Sequence, residues 1–146
     1  MAIEQIDPRE AHQRVGRGHV YLDVRSAPEF ARGHAAGAYN VPLLEPDPAV
    51  GGMAPNPDFL KVCLANFPTD AMLVVGCAAG GRSQRACEIL QANGYAVVAN
   101  IRGGFSGAHD PDGQVVAKGW AELGLPVSTR PPDAATYAGL VKKTRF

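Results

Sequence analysis

The residues of this chain with the clearest capacity for chemistry fall in one segment, Gly76-Cys77-Ala78-Ala79-Gly80-Gly81-Arg82-Ser83. Cysteine becomes a strong nucleophile when it ionises, so its surroundings decide whether it is reactive or inert. The chain has three cysteines, Cys63, Cys77 and Cys87. An odd number without a CxxC pair fits neither a disulfide framework nor a zinc site. The four histidines, His12, His19, His34 and His109, are scattered and form no paired ligand motif. No metal and no organic cofactor is therefore expected, and a reducing compartment, the cytoplasm, is the simplest setting.

Position separates the three thiols. Cys63 lies on the apolar stripe of a predicted helix and reads as core filler. Cys87 sits one turn into another predicted helix and also reads as core, with a resolving thiol as its alternative. Cys77 differs because the apolar run Met72 to Val75 predicts a buried strand that enters its loop directly. From Ser83 onward Ala86, Ile89 and Leu90 recur on one helical face, and Gly94 provides the stop. Ligands of open α/β sheets bind at such carboxyl edges. Glycines let successive amides turn inward, and the following helix adds its unpaired N–H groups and positive dipole end. The backbone amides of Ala78 to Ser83 are thus expected to favour the Cys77 thiolate. Ser83 is a candidate both for the helix cap and for a hydrogen bond to sulfur, and Arg82 for an anion-binding fork.

The flanking elements follow from caps and periodicity. Asp7-Pro8-Arg9-Glu10 predicts a helix start, with Ala11 and Val15 at i,i+4 spacing and Gly16 to Gly18 as its end. Val20 to Val24 predicts a strand. Ser26-Ala27-Pro28-Glu29 opens a short helix that Gly33 stops, and Gly37 to Val41 is strand-like. Five prolines between Pro42 and Pro57 predict a long surface loop. Asn56-Pro57 then starts a helix with Phe59, Leu60, Cys63, Leu64 and Phe67 on its apolar face. Tyr95 to Ala99 predicts another strand, and Val115-Val116 a ribbon strand after the Asp110–Gly113 turn. Alternating strands and helices imply a parallel sheet covered on both faces. Residues 1–127 are read as one domain and 128–146 as a peripheral tail carrying Lys142, Lys143 and Arg145.

The 146-residue length suits one domain with an ordinary core. Fourteen basic against fourteen acidic residues give a net charge of zero, which argues against nucleic acid or an acidic membrane held by bulk charge. The longest nearly apolar run, Ala71 to Gly81, is too short to span a bilayer. No basic start precedes an apolar stretch, so no secretory leader is expected.

The Cys77 to Ser83 segment resembles the active-site loop of the rhodanese, or sulfurtransferase, superfamily. Asp23-Val24-Arg25 is similar to that family's DVR motif. Glu29-Phe30, Gly33-His34 and Gly37-Ala38-Tyr39-Asn40-Val41-Pro42 resemble its next signature. Gly103-Gly104 and Gly124-Leu125-Pro126-Val127 also fit. The resemblance implies a three-layer α/β fold with a five-stranded, mostly parallel sheet and helices on both faces. It implies that Cys77 accepts a sulfane sulfur from a donor such as thiosulfate and passes it, as a persulfide, to cyanide, a small thiol or a thiol protein. Asp23, Arg25, Glu29 and His34 would then be architecture around the site, Phe105 a rim residue and Trp120 core. Ala78 and Ala79 replace the basic residues that often follow the cysteine in thiosulfate-specific members, which leaves the donor open.

Three other readings compete. A CX5R phosphatase needs arginine six places after its cysteine, and Arg82 stands five after Cys77. Gly76 to Ser83 nearly matches a nucleotide-binding P-loop, but Arg82 replaces the lysine and no later strand ends in a magnesium-binding Asp. A non-enzymatic or partner-specific binding module would need no thiol at this place, so Cys77 favours an enzyme.

Overall fold

The computed structural model describes residues 2–144, so Arg145 of the basic tail lies outside the described residues. Five strands form one sheet in the order Glu4–Ile6, Val97–Ile101, Met72–Gly76, Val20–Asp23, Tyr39–Asn40, and every neighbouring pair is parallel. Parallel neighbours require crossovers, which here carry helices. They are α1 (Pro8–Gly16), α2 (Ala27–Arg32), α3 (Phe59–Asn66) and α4 (Gly81–Ala92), followed late in the chain by α5 (Tyr137–Lys143). Adjacent strand residues point to opposite faces. Leu73 and Val75 therefore pack with Val62, Ala86 and Leu140 of α3, α4 and α5, while Val74 joins Ala11 and Phe30 of α1 and α2 on the other side. The three-layer expectation holds.

Local chemistry explains the helix starts. Ser26 and Glu29 form a reciprocal capping box at α2, with Pro28 in its first turn. Asp7 caps α1 by accepting from the Glu10 N–H, but the Glu10 carboxylate goes to Arg14 instead of completing a box. At α3 the expected Asn56 cap falls outside the helix. Its Oδ1 accepts from Asp58 N–H, and its Nδ2 donates to Pro42 O and Tyr137 Oη.

Three of these elements differ from expectation, and one strand of the expected five had no sequence signal. The stretch from Pro42 to Pro57 is not all loop: Leu44–Asp47 pairs antiparallel with Gly52–Pro55. This ribbon stands apart from the main sheet, and isolated ribbon edges tolerate proline. The fifth sheet strand, Glu4–Ile6, is only three residues long and lies at an edge. The strand expected over Tyr95–Ala99 runs over Val97–Ile101, because Tyr95 N–H returns to Leu90 O and its hydroxyl donates to Phe67 O. The helical part of the tail is not peripheral. Leu140 is 2% exposed in the core, and its carbonyl accepts from Asn66 of α3. The ribbon expected at Val115 does form, between Val115–Ala117 and Ala108–His109.

Trp120 is buried, as expected of a core residue. It stands edge-on to Tyr21, and its indole donates to Pro126 O at 2.7 Å. Among the described residues no helix is long and apolar enough to cross a membrane.

Candidate active site

The central strand, Met72–Gly76, delivers Cys77 to the carboxyl edge of the sheet. A tight turn through Ala78 and Ala79 reaches Gly80, and α4 begins at Gly81. Gly80 has φ +127°, a conformation in which a side chain would be strained. The turn points its N–H back at Cys77 Sγ, 3.0 Å away. Ser83 Oγ lies 3.3 Å from the same sulfur. The sulfur is recessed, with Cys77 only 2% exposed, yet its surroundings have a polar side. Of the six loop amides expected around the sulfur, Gly80 donates to it in this state. Gly81, Arg82 and Ser83 are first-turn helix residues, whose amides have no carbonyl one turn earlier to bond.

Ser83 is the third residue of α4 and therefore not its cap, a role that Gly80 fills through its backbone. Freed from capping, the hydroxyl meets Cys77 Sγ, Gly80 O at 3.1 Å and Asn100 Oδ1 at 2.5 Å. Asn100 is a site residue that sequence reasoning missed. A polar side chain in a buried strand just before Gly103-Gly104 was the available signal.

The double glycine braces the loop from the other side. Phe105 N–H donates to Cys77 O and Ser106 N–H to Ala78 O, both at 2.8 Å. Gly104 has φ +54°, and a Cβ on it would collide with the carbonyl oxygens of Cys77 and Ala78. Gly104→Ala is therefore expected to lower stability by about 2 kcal/mol, through left-handed strain and overpacking. Urea unfolding measures the loss.

The residues expected to be architecture are so placed. Arg25, 4% exposed, binds the buried Asp23 carboxylate through Nε and Nη2 and also donates to Gly33 O at 2.8 Å. Its guanidinium lies 4.4 Å from the Phe105 ring centroid, so Phe105 packs on Arg25 next to the loop. His34 stacks on Phe30 with its Nδ1 2.8 Å from Phe30 O. Asn40 donates to Asp23 O and Arg25 O.

Arg82, expected to offer a free fork, gives both outer nitrogens to Glu29 at 2.8 and 3.1 Å. The Arg82 hydrogen bonds, aided by those from Ser26, hold the Glu29 carboxyl down at about 2. A lowered folded-state value means that the pair's contribution to stability is present above the ordinary carboxylate range near 4.5. It is lost as pH falls toward about 2. The stability difference between the native protein and Glu29→Gln should accordingly be constant at neutral pH and shrink over that acid window. Denaturant midpoints at several pH values test it.

Burial pushes the Cys87 thiol up to about 12 and raises that of Cys63 as well. Cys87 is thus a neutral thiol at physiological pH, which argues against a resolving role. All three cysteines are free. Among the described residues no group of His, Cys, Asp or Glu could hold a metal ion. Beside the loop, a groove of about 470 Å³ runs between Leu44, Phe59 and Leu60 on one side and Arg82, Arg85 and Ile89 on the other.

A cysteine cradled by its own loop where a parallel central strand meets a helix is the arrangement expected of a rhodanese-type domain. The rhodanese-like domain family matches residues 7–110, and the chain belongs to that family. It is 40% identical over 116 residues to thiosulfate sulfurtransferase 16, chloroplastic, of Arabidopsis thaliana, covering 80% of this chain and 85% of the relative. Thiosulfate sulfurtransferase 18 of the same plant is 40% identical over 106 residues, covering 70% and 76%. The crystal structure of Rv0390 from M. tuberculosis superposes with a TM-score of 0.72 at 24% identity, covering 89% of this chain and all of that one. At that identity the structural likeness speaks for the fold alone.

Proposed function

We propose that this protein is a sulfurtransferase that carries a sulfane sulfur on Cys77. The observation that carries this reading is the Cys77 sulfur accepting the Gly80 amide at the mouth of α4. In the first step the Cys77 thiolate attacks the outer sulfur of thiosulfate. The S–S bond of the donor breaks, sulfite leaves with the electron pair, and Cys77 becomes a persulfide. In the second step cyanide or a thiolate attacks the terminal sulfur. The persulfide S–S bond breaks, and Cys77 regains its thiolate as thiocyanate or a new persulfide departs. The first-turn amides of Gly81, Arg82 and Ser83 supply donors for the negative outer sulfur, as preorganised dipoles do for a developing oxyanion.

The names of the two Arabidopsis relatives support thiosulfate as donor. The groove beside Arg82 and Arg85 offers an acceptor an apolar wall and a cationic end. Small-molecule donors and acceptors are the primary partners, with a thiol protein as a further acceptor and no role for nucleic acid or membrane. A reducing compartment such as the cytoplasm keeps the carrier thiol available between cycles.

The recessed sulfur and the engaged Arg82 also favour a second reading, a carrier or binding module that gives up sulfur only when one protein partner opens the loop. Intact mass before and after thiosulfate, with peptide mapping, separates the two. One added sulfur on the Cys77 peptide, removed by cyanide as thiocyanate, is the expected result. No added sulfur from thiosulfate would overturn the enzyme reading.

A further inference from the structure

An unbroken series of side-chain hydrogen bonds runs from the Cys77 sulfur to the surface, and its direction is fixed at the surface end. Gln5 Nε2 donates to Ile3 O at 3.3 Å and to Gln84 Oε1 at 2.6 Å. Gln84 Nε2 donates to the Glu88 carboxylate at 3.3 Å. A carbonyl and a carboxylate are acceptors only, so neither glutamine amide can reverse without losing a bond. Gln5 Oε1 must therefore face Asn100 and accept from its Nδ2, at 2.8 Å. That leaves Asn100 Oδ1 toward Ser83 Oγ at 2.5 Å. An amide oxygen can only accept, so it draws the single proton of the Ser83 hydroxyl. Cys77 Sγ, 3.3 Å from Oγ, then faces an oxygen lone pair instead of a proton.

We propose that Asn100 is a positioning residue for Cys77: by holding the Ser83 proton it aims that hydroxyl away from the sulfur and limits how readily the thiol ionises. In the thiol form Ser83 Oγ is placed to accept the S–H proton. On ionisation the proton passes to solvent, Sγ keeps the electron pair, and Gly80 N–H is left as its donor. A nucleophile with few donors keeps its electron pair available for attack. The titratable groups near enough to feel a charge on the sulfur are Tyr21 from the neighbouring strand, and Arg82 and Cys87 from α4. None of them is altered by the substitutions below.

The benefit to catalysis rests on the sulfur-carrier reading above, but the test does not. Thiolate absorbance of each protein, taken as the difference from its Cys77→Ser counterpart, is followed against pH. Asn100→Leu removes the competing acceptor at nearly constant volume and frees the Ser83 proton for the thiolate. At a fixed pH below the transition the ratio of thiolate to thiol should rise about 3- to 10-fold, the range of one charge-assisted hydrogen bond partly offset by Gly80 O. Gln5→Leu, on an exposed edge strand, lets the Asn100 amide turn over and should move the profile the same way by less. In a Ser83→Ala background neither substitution should move it. A profile unmoved by both single changes, or moved equally without Ser83, would overturn the proposal. If ionisation shifts as expected but thiosulfate never loads Cys77, the role of Asn100 stands and the sulfurtransferase reading falls.

Discussion

Cys77→Ser is expected to reduce thiocyanate formation from thiosulfate and cyanide by on the order of 10⁴-fold or more, because it removes the atom that carries the sulfur in the proposed mechanism. A serine hydroxyl can still accept the Gly80 amide, so the loop and the fold should remain intact and the unfolding transition nearly unchanged. Loss of turnover with retained stability is the signature of a nucleophile, and steady-state assays paired with thermal melts read both. Cys63 and Cys87 make the useful contrast. Both are fully buried with raised thiol values, so Cys63→Ala and Cys87→Ala should cost stability and leave turnover per folded molecule close to normal. Turnover surviving in Cys77→Ser would place the chemistry elsewhere and end the persulfide mechanism.

Arg25→Leu should be the most destabilising change among the residues around the site, by about 3–5 kcal/mol. Asp23 is 1% exposed, and its carboxylate is bound by the Arg25 backbone N–H and guanidinium. Removing the arginine leaves a buried charge without its partner. Gly33 O also loses a donor, and Phe105 loses the cation on which it packs. The melting temperature should fall by about 10–15 °C for a domain of this size. Replacing both partners, with Asp23→Leu added, should recover part of that loss, since the uncompensated charge is then gone. Activity should fall in the single variant beyond what unfolding explains, because the Phe105 amide that ties down the Cys77 carbonyl follows its ring.

Sequence signals read best where the cause of a structure is local. The Ser26–Glu29 box, the strand that ends at Gly76 and the glycine that closes α2 each follow from neighbouring residues. Glu4–Ile6 escaped because three residues give almost no periodicity, and its place comes from pairing with a strand more than ninety residues later, as in Glu4 with Ala99. The ribbon over Leu44–Pro55 escaped because proline argues against inner strands but not against an isolated pair. At the candidate site, the placement of Cys77 between strand and helix was legible. The offset of Ser83 from the cap, the clasp of Glu29 on Arg82 and the approach of Asn100 were not. Each depends on where a tertiary neighbour lies within an ångström or so.

The closing helix has a practical bearing on how the protein can be shortened. Leu140 fills a gap over α3, Tyr137 Oη accepts from Asn56, and Asn66 reaches the Leu140 carbonyl. Asn56 also lines the groove next to Arg82. Trimming the chain back to the last family signature at Val127 would therefore uncap the hydrophobic interior and loosen one bank of that groove.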